Sequence, residues 1–203
     1  MTFLLGLTGS IGMGKSTTAK IFAAAGCEVW DADAAVHRLY SAGGAAVAPM
    51  QAAFPTAVVD EAVSRDTLKQ IIGADHSALK LIETIVHPLL AQDRKTFRDQ
   101  ATSDILVFDI PLLFETGGDA AMDAVACVHV DAATQRTRVM ERGTMSAAQF
   151  EQILAKQMPI AEKCARSDYV IETDTPDHAA EQVAQVLKDI RTKIQNRKTP
   201  ADA

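Results

Sequence analysis

The sequence is poor in the features that would tie a chain to an oxidising compartment, a bilayer or a polyanion. Its three cysteines, Cys27, Cys127 and Cys164, are few, widely spaced and matched to no histidine spacing. They read as reduced thiols, and a disulfide or zinc framework is not expected. No run of ~18 apolar residues occurs, so no membrane-spanning helix is expected. The apolar start, residues 1–7, lacks a basic flank and runs directly into a glycine loop, which is not how a signal peptide reads; a cytoplasmic location is the expectation. Positive charge is in deficit, with 20 Lys and Arg against 26 Asp and Glu for a net charge of −6. That balance argues against nucleic acid or an anionic membrane as a partner, though a local basic pocket remains compatible with it. Aromatics make up only 5%, but the 48% hydrophobic content is too high for a disordered chain. At 203 residues the expectation is one domain with insertions, large enough to hold a core without covalent staples.

What is present is an alternation of short apolar runs and helical stretches. Phe3 to Thr8 reads as a strand buried on both faces, Cys27 to Asp31 as a second strand, and Ile105 to Phe108, Val125 to Val130 and Tyr169 to Ile171 as further buried-strand candidates. Helical stretches separate them, among them Gly14 to Ala25, Thr134 to Arg142 and Pro176 to Gln195. This order predicts an α/β fold, a three-layer parallel sheet flanked by helices. Two segments fit no minimal sheet: 62–100, read as a helical insertion with a helix ending at His87-Pro88, and 135–166, two or three short helices rich in Arg and Lys. The small-residue stretch Ala42 to Ala48 reads as a flexible connector, and 196–203 as a disordered tail.

The string Gly9-Ser10-Ile11-Gly12-Met13-Gly14-Lys15-Ser16 fits the phosphate-binding pattern G-x-x-x-x-G-K-[ST], between a strand and a helix as that pattern requires. The glycines let successive N–H groups converge on one anion, and the helix adds its positive end. Lys15 would reach the β- and γ-phosphates, and Ser16 would offer a hydroxyl to Mg²⁺. Gly9, Ile11, Gly12, Met13, Gly14, Lys15, Ser16 and Thr17 are therefore the expected nucleotide contacts, with ATP and Mg²⁺ the expected cofactors. Asp31-Ala32-Asp33 closes the second strand, where the ends of a parallel sheet converge on a ligand. Two readings of Asp33 stand: a base for an attacking hydroxyl, or a cap of the following helix. Asp31 joins Ser16 and Asp109 as a candidate metal contact, Asp109 ending a hydrophobic strand as a metal-holding acid does. Arg136, Arg138, Arg142, Lys156, Lys163 and Arg166 form a cationic cluster. Half of it reads as a solvated face, while Arg138 and Arg142, four apart on one helix, are the candidates for meeting a transferring phosphoryl group. His87, before a proline, reads as a hydrogen-bonding group rather than a catalyst.

These motifs, with Ile85-Val86-His87-Pro88, Pro111-Leu112-Leu113-Phe114-Glu115, Gln157-Met158-Pro159 and Ser167-Asp168-Tyr169, resemble in order and spacing the dephospho-coenzyme A kinase family over nearly the whole chain. The resemblance implies ATP-dependent phosphorylation of the ribose 3′-hydroxyl of dephospho-CoA, the last step of coenzyme A synthesis. It implies a phosphate-loop core over 1–61, 101–134 and 167–195, a substrate insertion over 62–100 and a lid over 135–166. By resemblance Asp33 is the base, Arg138 and Arg142 come from the lid, and Arg65, His87 and Leu112 join Asp33 on the acceptor. A monomer or weak homo-oligomer is expected. The chain departs from the family at Glu172-Thr173, where Asp-Asn is common near the adenine, and at Gly143-Thr144, where Arg-Asp is common. The alternatives are another small-molecule or nucleoside monophosphate kinase of the same fold, or a nucleotide-dependent switch, against which no guanine-reading Asn/Thr-Lys-x-Asp string is found.

Overall fold

The computed structural model describes residues 2–198. The chain begins with strand β1 (Phe3–Thr8), helix α1 (Lys15–Ala24) and strand β2 (Glu28–Asp31). It continues through α2 (Ala32–Tyr40), α3 (Val47–Ala53), the short strands β3 (Val58–Val59) and β4 (Ala62–Val63), α4 (Arg65–Ala74) and α5 (Ser77–Gln100). Then follow β5 (Ile105–Asp109), β6 (Ala124–His129), α6 (Ala132–Glu141), α7 (Ala147–Leu154), α8 (Ile160–Arg166), β7 (Tyr169–Glu172) and α9 (Pro176–Lys198).

The five strands expected from the apolar runs form one sheet in the order β2-β5-β1-β6-β7. β1 runs parallel to both β5 and β6, with Leu5 opposite Val107 and Ala124, and β6 runs parallel to β7. Every residue of β5 is buried, and β1 is nearly so, because helices cover both faces of the sheet. α9 supplies Ala179, Val183, Val186, Leu187, Ile190 and Ile194 at helical spacing, and α1 supplies Ala19 and Phe22. The α/β expectation thus holds, and no described helix is long and apolar enough to cross a membrane. Cys127 and Cys164, far apart in sequence, lie with their sulfurs 3.9 Å apart, and both are free thiols. Burial pushes the Cys127 thiol up to about 12, so it stays protonated.

Two compact units emerge, one comprising the chain up to Trp30 and from Thr102 onward, the other Asp31–Ala101. The second is wider than the 62–100 expected as an insertion, because α2 and α3 bury Leu39, Tyr40 and Met50 with Ile82 and Val86 of α5. Four further expectations are corrected. α5 does not end at His87-Pro88 but runs through it to Gln100. The backbone bond lost at Pro88 is outweighed by the apolar stripe that Ile82, Val86, Leu89 and Leu90 bury. The hairpin β3–β4 was not foreseen, since its turn places Asp60 and Glu61 at φ 49° and 61° without the glycine that usually marks such turns. The stretch 42–48 is no loose connector. Ala46 is fully buried and donates its N–H to Leu39 C=O, and a Cβ on Gly44 would sit 2.3 Å from that same carbonyl. Finally, 196–198 continue α9, tied down where Arg197 reaches Asp123 at 3.0 Å; the rest of the expected tail, 199–203, lies outside the described residues.

Candidate functional site

β1 delivers the chain to Gly9, and the loop that follows turns back on itself before α1 begins. Met13 N–H donates to Ser10 C=O at 3.2 Å, and the Thr17 and Thr18 N–H groups both donate to Gly14 C=O. Gly14 caps α1 at φ +82°, a left-handed conformation that a side chain would strain, and it brings no capping group. No acidic residue occupies the first turn of α1. The leading N–H groups of the helix and the positive end of its dipole are therefore left to an external anion. Met13 turns inward, 2% exposed, and its sulfur accepts the Val130 N–H at 3.1 Å, so it can meet a ligand only through its backbone. Ser16 and Thr17 are exposed.

Lys15 forms an ion pair with Asp109 at the end of β5. Asp109 is only 2% exposed and the Lys15 side chain 14%, so little water screens the pair. The loop lysine and the strand-end acid singled out in the sequence are thus brought together. Among the described residues no three His, Cys, Asp or Glu side chains cluster as a metal cage. An exposed hydroxyl at Ser16 and a carboxylate at Asp109 suit a Mg²⁺ ion that takes its remaining ligands from phosphates and water.

The two candidate arginines belong to one cavity. Arg138 of α6 donates through Nη2 to Thr173 C=O at 2.7 Å and Asp174 C=O at 3.1 Å, and through Nη1 to Thr173 Oγ1 at 3.3 Å. Thr173, 7% exposed just after β7, donates its hydroxyl to Met13 C=O at 2.9 Å. A cavity of about 200 Å³ opens between Gly14, Thr17, Arg138, Arg142, Thr173 and Pro176. Arg142 makes no ion pair or side-chain hydrogen bond among the described residues, so its charge is open to the cavity. In the sequence Thr173 is only a departure at a position where Asn is common; its role as a tie between β7, the loop and Arg138 carries no sequence signature, since two of its partners are backbone carbonyls.

His178 Nδ1, on the first turn of α9, meets Asp174 Oδ1 just before the helix at 2.7 Å. The hydrogen bond to Asp174 raises the His178 pKa, and the same bond lowers that of Asp174. The sign follows: the charged-pair contribution of His178 is complete below its unfolded pKa near 6.5 and fades as pH rises through the higher folded value. An NMR titration of the His178 ring should show it protonated above that ordinary value, and Asp174→Asn should return it there; an unchanged titration in the variant would show that Asp174 is not the cause.

The remaining cations sort by burial. Arg136 pairs with Glu151 on an exposed face, as expected of half the cluster. Lys163, expected there too, is instead fully buried. Its ammonium bonds Glu115 Oε1 at 2.8 Å and Pro111 C=O at 3.1 Å. Burial alone would push the Glu115 carboxyl up, but Lys163 and the Met158 N–H outweigh it and hold the pKa below its ordinary value. Glu115→Ala would strand the buried ammonium and is expected to cost about 3 kcal/mol in denaturant unfolding; a loss within error of zero would refute the account. Leu112, on the same segment, is 41% exposed.

The other candidates lie in the second unit. Asp31 proves to be the cap of α2, its Oδ1 accepting the Ala34 N–H at 2.9 Å. Asp33, in the first turn, is exposed and makes no hydrogen bond or ion pair among the described residues, so capping is not its role. His37 stands one turn on, also exposed. Arg65 begins α4 with its guanidinium 5.8 Å from the centre of the Tyr40 ring, and His87 is exposed on α5.

Comparison with known proteins gives a consistent picture. A family model described as dephospho-CoA kinase matches residues 3–178. A protein of Ruegeria pomeroyi named dephospho-CoA kinase is 72% identical over 191 residues, 94% of this chain and 97% of that one. A crystal structure from Thermus thermophilus superposes with a TM-score of 0.83 at 28% identity, covering 93% of this chain and 97% of the other. The dephospho-CoA kinase of Campylobacter jejuni, at 22% identity and TM-score 0.67 over 94% and 98% of the two chains, shares the fold.

Proposed function

The chain belongs to the dephospho-CoA kinase family, and from that premise we propose that it transfers the γ-phosphoryl group of ATP to the ribose 3′-hydroxyl of dephospho-CoA. The observation that carries the reading is the uncapped start of α1 beside the buried Lys15–Asp109 pair. The loop and α1 hold the phosphates, and Lys15 moves part of its charge from Asp109 to the β- and γ-oxygens as they arrive. Ser16 and Asp109 are the residues that would hold Mg²⁺, which supplies charge neutralisation at the phosphates when bound. The cavity between Thr17, Arg138 and Pro176 takes the nucleoside, with Arg142 open to its phosphates.

Asp33, an exposed carboxylate with no hydrogen-bond or ion-pair partner among the described residues, orients the acceptor hydroxyl and takes its proton. The liberated oxygen attacks phosphorus in line as the bond to the β-phosphate oxygen breaks. Arg65 and His87, both exposed, and Leu112 are proposed contacts for the acceptor. Positioning and electrostatics supply the rate, since little covalent work falls to the protein. A coupled assay with dephospho-CoA, AMP and shikimate as rival acceptors tests the reading. Turnover with dephospho-CoA alone is expected; preference for another acceptor, or ATP hydrolysis indifferent to all three, would overturn it.

A further inference from the structure

Behind the phosphate loop, both polar groups of the Ile11 residue are held by glutamine side chains. Gln157, in the turn between α7 and α8, accepts the Ile11 N–H on Oε1 at 3.2 Å. Gln135 of α6, only 5% exposed, donates its Nε2–H to Ile11 C=O at 2.7 Å. The next residue along the turn is fixed as well: Met158 N–H donates to Glu115 Oε1 at 2.9 Å. Glu115 is set by the buried Lys163, and Lys163 also donates to Pro111 C=O. The same carbonyl accepts the hydroxyl of Thr8 at 3.1 Å, and Thr8 is the last residue of β1, directly before Gly9. The contacts therefore close on themselves: Thr8, Pro111, Lys163, Glu115, Met158, Gln157 and Ile11, then back along the loop to Thr8.

We propose that Gln157 is a positioning residue for phosphoryl transfer, fixing the Ile11 peptide and so the curvature of the loop, with Lys163 and Glu115 fixing Gln157. Two physical facts favour this over simple packing. An amide acceptor on a loop N–H decides which N–H groups face outward and which remain for the phosphates. The ring is anchored by the fully buried Lys163 ammonium, held between the Glu115 carboxylate and the Pro111 carbonyl, so its geometry is stiff. The proposal rests on the kinase reading for its kinetic arm and is independent of it for its spectroscopic arm.

The test compares Gln157→Met, which keeps length but loses the acceptor, with Gln157→Glu, which keeps an acceptor oxygen. Gln157→Met should lower kcat about tenfold with KM for dephospho-CoA unchanged, the scale of one lost, partly buried hydrogen bond. Gln157→Glu should recover most of that loss. In ¹⁵N-correlated spectra the Ile11 amide proton should move upfield in Gln157→Met and hold its place in Gln157→Glu, whatever the acceptor substrate proves to be. An Ile11 resonance unmoved by Gln157→Met overturns the proposal. So does a Gln157→Met enzyme with native kcat, or a Gln157→Glu enzyme as impaired as Gln157→Met. Failure of the wild-type chain to phosphorylate dephospho-CoA would instead strike the proposed function and leave the resonance shift to be read.

Discussion

Asp33→Asn is expected to lower kcat by about 10²–10⁴-fold while leaving ATP affinity intact. Asparagine keeps the size and the hydrogen-bonding reach of the side chain but cannot accept the proton of the acceptor hydroxyl. The position is exposed and, among the described residues, without a hydrogen-bond or ion-pair partner, so the substitution should cost less than about 0.5 kcal/mol of stability. Activity and folding are then cleanly separated. Steady-state kinetics with calorimetric titration of ATP gives the answer, and a variant with native kcat would remove Asp33 from the role of base.

Lys15→Met should act on both binding and chemistry. The loss of a cation aimed at developing phosphoryl charge is expected to reduce kcat by about 10²–10³-fold, with ATP affinity falling alongside. It should also destabilise the nucleotide-free protein, by about 3 kcal/mol, because Asp109 at 2% exposure loses its ammonium partner. A second substitution separates the two effects. Lys15→Met with Asp109→Asn removes both charges, so stability should recover, while turnover stays lost because the loop cation and a proposed Mg²⁺ holder are both gone. Recovery of neither, or of both together, would contradict the assignment of Lys15 to the phosphates and of the pair to the native-state balance.

Much of the architecture was legible in the chain because the physics that sets it is local. The central strands β1, β5 and β6 announce themselves as nearly continuous apolar runs, and the phosphate loop as glycines ahead of Lys15 and Ser16; the edge strands β2 and β7 are only partly buried and carry charged residues. What stayed hidden depends on partners distant in sequence. Lys163 reads as one more surface cation until Glu115 and the Pro111 carbonyl, some fifty residues earlier, are folded against it. Arg138 was singled out for phosphoryl charge, but the structure gives three of its hydrogen bonds to residues 173 and 174. Its guanidinium is first of all a wall of the cavity beside Gly14 and Thr17. The hairpin at 58–63 escaped notice because Asp60-Glu61 carries none of the usual turn chemistry, and α5 ran through Pro88 because tertiary burial outweighed one missing backbone bond. Asp31 and Asp33, two residues apart, are told apart as cap and open carboxylate only by the folded structure.

The hydroxyl of Thr173 has a thermodynamic consequence. It joins Met13 of the loop to the strand end, and Arg138 grips the same residue, so the wall proposed for the nucleoside and the loop proposed for its phosphates are a single stiff piece. The ordering entropy of that surface is spent when the chain folds, and a nucleotide arriving there has little left to organise. Thr173→Val would hand part of that entropy back to the binding step, weakening ATP through its entropy change while the contacts made once bound stay the same.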